Sequence, residues 1–85
     1  MENKKIERLN FRIQMIETEL EYKNKRLEAL TKELKEAVAK YDTYSIVTFV
    51  PGYVRQIEEL ARDIINLQEQ KRMLLWIAKE EEDAR

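Results

Sequence analysis

The chain has 85 residues, of which 39% are charged and 44% are hydrophobic, and its formal net charge is −1. A chain of this length forms one small domain with a modest core. It contains no cysteine and no histidine, which excludes disulfides, thiolate or histidine catalysis and Cys-based metal sites. We therefore expect no enzymatic activity, no cofactor and no metal site.

The longest mainly apolar stretch, Tyr44 to Val54, is about half of the roughly 20 residues that a membrane helix needs. The first residues run directly into an amphipathic pattern, without the hydrophobic core of a signal peptide. These features predict a cytoplasmic protein that does not associate with a membrane.

Apolar side chains between residues 6 and 41 recur in steps of three and four, which is the spacing of the a and d positions of a heptad. With Ile6 as a, ten of eleven a and d positions are apolar, and Lys23 is the exception. The pattern predicts a first helix over about residues 3–42, lined by Ile6, Leu9, Ile13, Ile16, Leu20, Leu27, Leu30, Leu34, Ala37 and Tyr41.

The next segment is rich in β-branched and aromatic residues and contains the chain's single proline and single glycine, Pro51 and Gly52. Adjacent proline and glycine are typical of turns, and proline disfavours helical angles in the residue before it. We predict a turn over about 43–51, with Pro51 in the first turn of the next helix. Residues 46–50 form either a packed loop or a short strand.

A second heptad pattern predicts a helix over about residues 51–82, lined by Ile57, Leu60, Ile64, Leu67, Lys71, Leu74 and Ala78. A short turn between two helices makes them antiparallel neighbours. Opposite charges at the two chain ends favour the same arrangement. The predicted fold is therefore all-α, an antiparallel two-helix coiled-coil hairpin that forms one domain over residues 1–85.

With the turn at 43–51, facing residues have numbers that add up to about 94. This register places Leu34 opposite Leu60, and it places Lys23 opposite Lys71, the polar member of each seam. Two ammonium groups do not stay buried side by side, so both are expected to reach solvent or to meet carboxylates, with Glu19 or an acidic residue of another subunit as candidates.

Several large apolar residues lie outside both seams, and exposed apolar surface of this kind usually marks an interface. We favour self-association into a dimeric four-helix bundle over a surface reserved for a different protein. The predicted protein interface lies on the half far from the turn and consists of Phe11, Met15, Tyr22, Ile65, Met73, Leu75, Trp76 and Ile77.

A second aromatic group surrounds the predicted turn. Its members either close the open end of the core or form a docking site. They are Tyr41, Tyr44, Phe49 and Tyr53.

These features favour a non-enzymatic protein–protein interaction module, a homo-oligomeric hairpin that acts as an adaptor, scaffold or inhibitor. A small regulator of the kind encoded by mobile elements fits this description. The alternative is a nucleic-acid-associated regulator in which dimerisation gathers a basic stripe, although the near-zero net charge disfavours it. That stripe would contain Lys4, Lys5, Arg8, Arg12, Lys23, Lys25 and Arg26.

Overall fold

The computed structural model describes residues 4–84 of the chain. Two α-helices account for nearly all of them, α1 over Lys4–Lys40 and α2 over Thr43–Asp83. The helices pack side by side as an antiparallel hairpin with dimensions of 65 × 14 × 13 Å. The prediction of an all-α helical hairpin is therefore confirmed. The predicted start of the first helix at residue 3 lies outside the described residues.

Only Tyr41 and Asp42 connect the two helices. Asp42 has extended backbone angles and caps the N-terminus of α2, because its side-chain Oδ1 accepts a hydrogen bond of 2.8 Å from the backbone N–H of Ser45. This hydrogen bond, together with that from the Ser45 side chain, lowers the pKa of the Asp42 carboxyl. The chain therefore reverses at a tight, capped junction.

The predicted turn over 43–51 is wrong, because these residues form the first part of α2. Pro51 is inside the helix, so the carbonyl of Val47 has no N–H donor at the usual position four residues later. Residues 46–50 are helical and do not form a strand. Thr48 donates a 2.9 Å hydrogen bond to the carbonyl of Tyr44 within this segment.

Tertiary packing explains why α2 includes this unfavourable segment. Ile46, Val50 and Tyr53 continue the heptad upstream of Ile57 in steps of four and three, and each of them is half-buried. Full burial of an apolar side chain contributes about 1.5–3 kcal/mol, so three half-buried side chains together contribute an amount comparable to the roughly 3 kcal/mol that a proline costs inside a helix. The contact with α1 therefore offsets the local preference for a turn.

The core of the hairpin is formed by the two predicted seams. Every predicted a and d residue is buried or half-buried except Tyr41, which is exposed in the connection that follows α1. A cluster of Ile16, Leu20, Ile64 and Leu67 lies in the middle of the hairpin, with Leu27 and Leu74 packed against it. The heptad assignments are thus confirmed in both helices.

The register differs from the predicted one by one heptad. Ion pairs join the helices at three levels of the described chain: Lys5 to Glu81 at 2.8 Å, Lys23 to Asp63 at 3.2 Å, and Lys71 to Glu17 at 3.5 Å. In each pair the two residue numbers add up to 86 or 88, not 94. The reason is the turn, which has two residues instead of about nine.

The shifted register separates the two seam lysines. Lys23 contacts Asp63 and, at 3.8 Å, Glu19, whereas Lys71 contacts Glu17 at a different level. The prediction that the lysines face each other is wrong, and the prediction that Glu19 is a partner of Lys23 is confirmed. Both lysines are half-buried, since their aliphatic stems cover the seam while their ammonium groups reach its rim.

Candidate protein interface

Two of the predicted interface residues, Phe11 and Met15, lie on the side of α1 that faces away from α2. They occupy heptad positions f and c, and 64% of Phe11 is exposed. Tyr22, also at a c position, continues the stripe and is exposed. We call this set of three residues the α1 outer stripe.

A shallow groove runs along the first part of this stripe. All of the residues that line it belong to α1: Lys4, Glu7, Arg8, Phe11, Arg12 and Met15. Three cationic side chains and one carboxylate thus surround an exposed phenylalanine and methionine. The groove combines an apolar floor with a basic rim.

Met73 and Trp76 form the corresponding feature on α2, which we call the α2 outer stripe. With Ile57 as a, these two residues also occupy positions c and f, and 63% of Trp76 is exposed. Ile65 is exposed at a b position and Leu75 at an e position. Ile77 is half-buried beside the seam, so it contributes less to the surface than predicted.

The two outer stripes lie at the same end of the hairpin but on opposite edges. Phe11 and Trp76 lie at the same height along the hairpin. Their residue numbers add up to 87, and the ion pairs between the helices show that facing residues have sums of 86 to 88. Positions c and f point away from the partner helix in a coiled coil. The wide surface expected from the sequence is therefore divided into two separate stripes.

The charges beside the α2 outer stripe are largely compensated. Arg72 donates hydrogen bonds to the carboxylate of Glu69, one turn earlier on the same helix. These hydrogen bonds lower the pKa of Glu69 and raise that of Arg72. The Arg72 charge beside the α2 outer stripe is therefore matched within the helix, and the basic rim belongs to the groove on α1.

The predicted aromatic residues at the turn do not all lie together. The rings of Tyr41 and Phe49 are in contact, with centroids 5.8 Å apart and a tilted orientation. Tyr53 is half-buried at a seam position. Tyr44 is 80% exposed. Two of the four aromatic residues thus pack on each other at the closed end, and three of the four, Tyr41, Tyr44 and Phe49, are exposed.

Sequence reasoning missed a set of exposed valines near the turn. Val38 on α1 and Val47 and Val54 on α2 all occupy e positions, and 70% of Val47 is exposed. Extending the second heptad upstream of Ile57 would have identified Val47 and Val54 as residues next to the seam. The assignment of 43–51 to a turn concealed this pattern.

Within residues 4–84, no group of three or more acidic side chains is arranged to hold a metal ion. Over the same range, neither helix has a segment that is long and apolar enough to cross a membrane.

The fold and exposed side chains define an antiparallel helical hairpin with apolar surface outside its seam. In comparisons with known proteins, the chain matches no protein-family model, no curated protein sequence and no solved structure.

Proposed function

We propose that this chain is a non-enzymatic protein–protein interaction module, a self-associating helical hairpin that acts as an adaptor, scaffold or inhibitor by occupying a surface of another protein. The observation that carries the proposal is the amount of apolar surface left uncovered. Among the described residues, thirteen large hydrophobic side chains are exposed and only eight hydrophobic residues are buried. Exposed apolar surface on this scale is typical of interaction sites.

The α1 outer stripe is the surface that we assign to a different protein. Its position opposite the seam keeps Phe11 and Met15 accessible however the rest of the hairpin associates. The basic rim of Lys4, Arg8 and Arg12 favours a partner surface that has apolar side chains among acidic ones. Binding would bury the phenylalanine and the methionine, residue types that are enriched in interface cores.

A pull-down from the native host with a matched control tests this assignment. Phe11→Ser/Met15→Ser removes the apolar floor, and Lys32→Ser/Glu36→Ser makes the same replacements at the same f and c positions three heptads later. The wild-type chain and the control are expected to recover the same partner, and the Phe11/Met15 variant to lose it. Equal recovery by all three chains would show that the partner binds elsewhere.

The nucleic-acid alternative has less support. Three of the seven residues of the basic stripe form ion pairs with carboxylates: Lys5 contacts Glu81, Lys23 contacts Asp63 and Glu19, and Lys25 contacts Glu21 at 3.1 Å. Retention on heparin at low salt, lost as the salt concentration rises, would favour the alternative over the protein-binding proposal.

A further inference from the structure

The two lateral faces of the hairpin differ in chemistry. A shallow depression lined by Glu19 of α1 and by Asp63 and Gln70 of α2 shows that the g positions of both helices share one face. The e positions consequently share the other face, where Glu17 contacts Lys71. The g face is charged or polar along most of its length, so the two faces do not suit the same neighbour.

On the half near the turn, the e face is apolar except for Thr31, whose hydroxyl donates a 2.8 Å hydrogen bond to the carbonyl of Leu27. Its residues form the set that we call the valine face: Thr31, Val38, Val47, Val54 and Ala61. They lie directly beside the seam, so each helix has a stripe of a, d and e residues in this half. Such a broad stripe is typical of a helix that is covered on two sides, as in a four-helix bundle. Beyond the valine face, α1 has polar residues at its e positions, Asn10, Glu17 and Asn24.

We propose that a second copy of the chain covers the valine face, with the two hairpins antiparallel and their turns at opposite ends. The two-fold axis passes close to Thr31 and Val54, the centre of the apolar region. This inference rests on the self-association part of the proposed function and assigns it a surface and a geometry.

Charge at the rim of the face favours the antiparallel arrangement. A two-fold axis at Thr31 brings Lys35 of each copy near Glu28 of the other copy, so the dimer contains two such pairs. On the α2 side it brings Tyr44 near Ile65 of the other copy, so two exposed apolar residues meet. If the turns lay at the same end, Glu28 would face Glu58 of the other copy, and like charges at an interface are unfavourable.

The size of the face indicates a weak dimer. From Tyr44 to Ile65 it extends over about 30 Å at 1.5 Å per residue, and it is two helices wide, about 20 Å. The resulting area of about 600 Å² per copy is below the roughly 800 Å² of a standard stable interface. We therefore expect a weak dimer whose population depends on protein concentration. The antiparallel dimer overlaps over about 30 Å, which makes it about 100 Å long, compared with 65 Å for one hairpin.

Disulfide cross-linking tests the geometry directly, because the chain has no native cysteine. Thr31→Cys is expected to form a covalent dimer on oxidation, since the two copies of residue 31 meet at the axis and disulfides need Cα atoms within about 7 Å. Asn10→Cys, an e position far from the axis, is the matched control and is expected to remain monomeric. A mixed Thr31→Cys and Val54→Cys disulfide without the Thr31 homodimer would instead indicate turns at the same end and overturn the proposal.

Sedimentation of charge variants distinguishes a dimer that forms through the valine face from self-association through another surface. Val54→Glu is expected to raise the dimer dissociation constant at least tenfold, while Gln56→Glu, which adds the same charge on the g face, leaves it unchanged. A dimer that survives Val54→Glu and does not cross-link through residue 31 would overturn the valine-face assignment and leave self-association intact. A wild-type chain that stays monomeric at high concentration would overturn both, while the pull-down still tests the α1 outer stripe.

Discussion

The half of the hairpin near the turn and the half that contains the chain ends place their uncovered apolar side chains differently. Near the turn, the valine face adjoins the seam, so a second hairpin covering it would extend the same core. Near the chain ends, Phe11 and Trp76 lie on opposite outer edges and cannot join that core. The same a and d seam runs through both halves. An additional apolar residue at an e position extends the core, as in the valine face, whereas one at a c or f position forms an outer stripe.

The largest expected effect distinguishes residues that hold the hairpin together from residues that only lie on its surface. Leu30 is 2% exposed, and Leu30→Ala is expected to lower the free energy of unfolding by about 2–5 kcal/mol because it leaves a cavity. Trp76→Ala is expected to change it by less than about 0.5 kcal/mol. Urea unfolding at low protein concentration measures both. Comparable losses would mean that Trp76 belongs to the core.

The next effect concerns the beginning of α2, where the valine face depends on a helix that contains proline. Pro51→Ala is expected to raise the free energy of unfolding by about 1–3 kcal/mol, because it restores a hydrogen bond to Val47 and removes a steric conflict. Thermal unfolding followed by circular dichroism measures the gain.

Gly52→Ala is the matched substitution at the neighbouring position. A side-chain carbon at Gly52 meets nothing within 4 Å, so we expect a smaller gain of about 1 kcal/mol from helix propensity alone. If both substitutions destabilised the chain, residues 43–51 would form a turn and not a helix, and the valine face would not exist as described.

The smallest effect concerns the capped junction that sets the register of both halves. Asp42→Ala is expected to lower the melting temperature by about 5 °C, because the N–H of Ser45 loses its acceptor, whereas Asp42→Asn retains a cap. Thermal unfolding of the three chains at neutral pH tests this.

The pH dependence of the cap has a definite sign. Since the hydrogen bond from Ser45 lowers the pKa of Asp42 in the folded chain, its stabilisation is present above the ordinary pKa of an aspartate. It is lost as the pH falls through the lower folded value. The difference between wild type and Asp42→Ala should therefore shrink in acid, and a difference that is constant down to pH 2 would contradict this role.

The candidate interface was only partly predictable from the sequence. Phe11, Met15 and Trp76 could be identified because they are large apolar residues that lie outside the a and d positions of a clear heptad repeat. All three are exposed, as expected. Their separation onto opposite edges follows from heptad letters and was available in principle. Val47 and Val54 were not recognised, because their helix begins eight residues earlier than the local signals around Pro51 and Gly52 indicate.

The sequence by itself determined the two seams. Apolar residues spaced alternately three and four positions apart over many turns can all be buried together only when the segments form helices that pack along that stripe. Asp42, which caps α2, was not recognised from the sequence, because a single capping residue is a weak guide beside a run of β-branched residues followed by Pro51 and Gly52. Only the tertiary structure decided where the chain reverses. Ile46, Val50 and Tyr53 are half-buried at seam positions against α1, and helix propensities, which are local, do not include the stabilisation from that packing. The position of the turn then fixed the register, and with it the separate partners of Lys23 and Lys71.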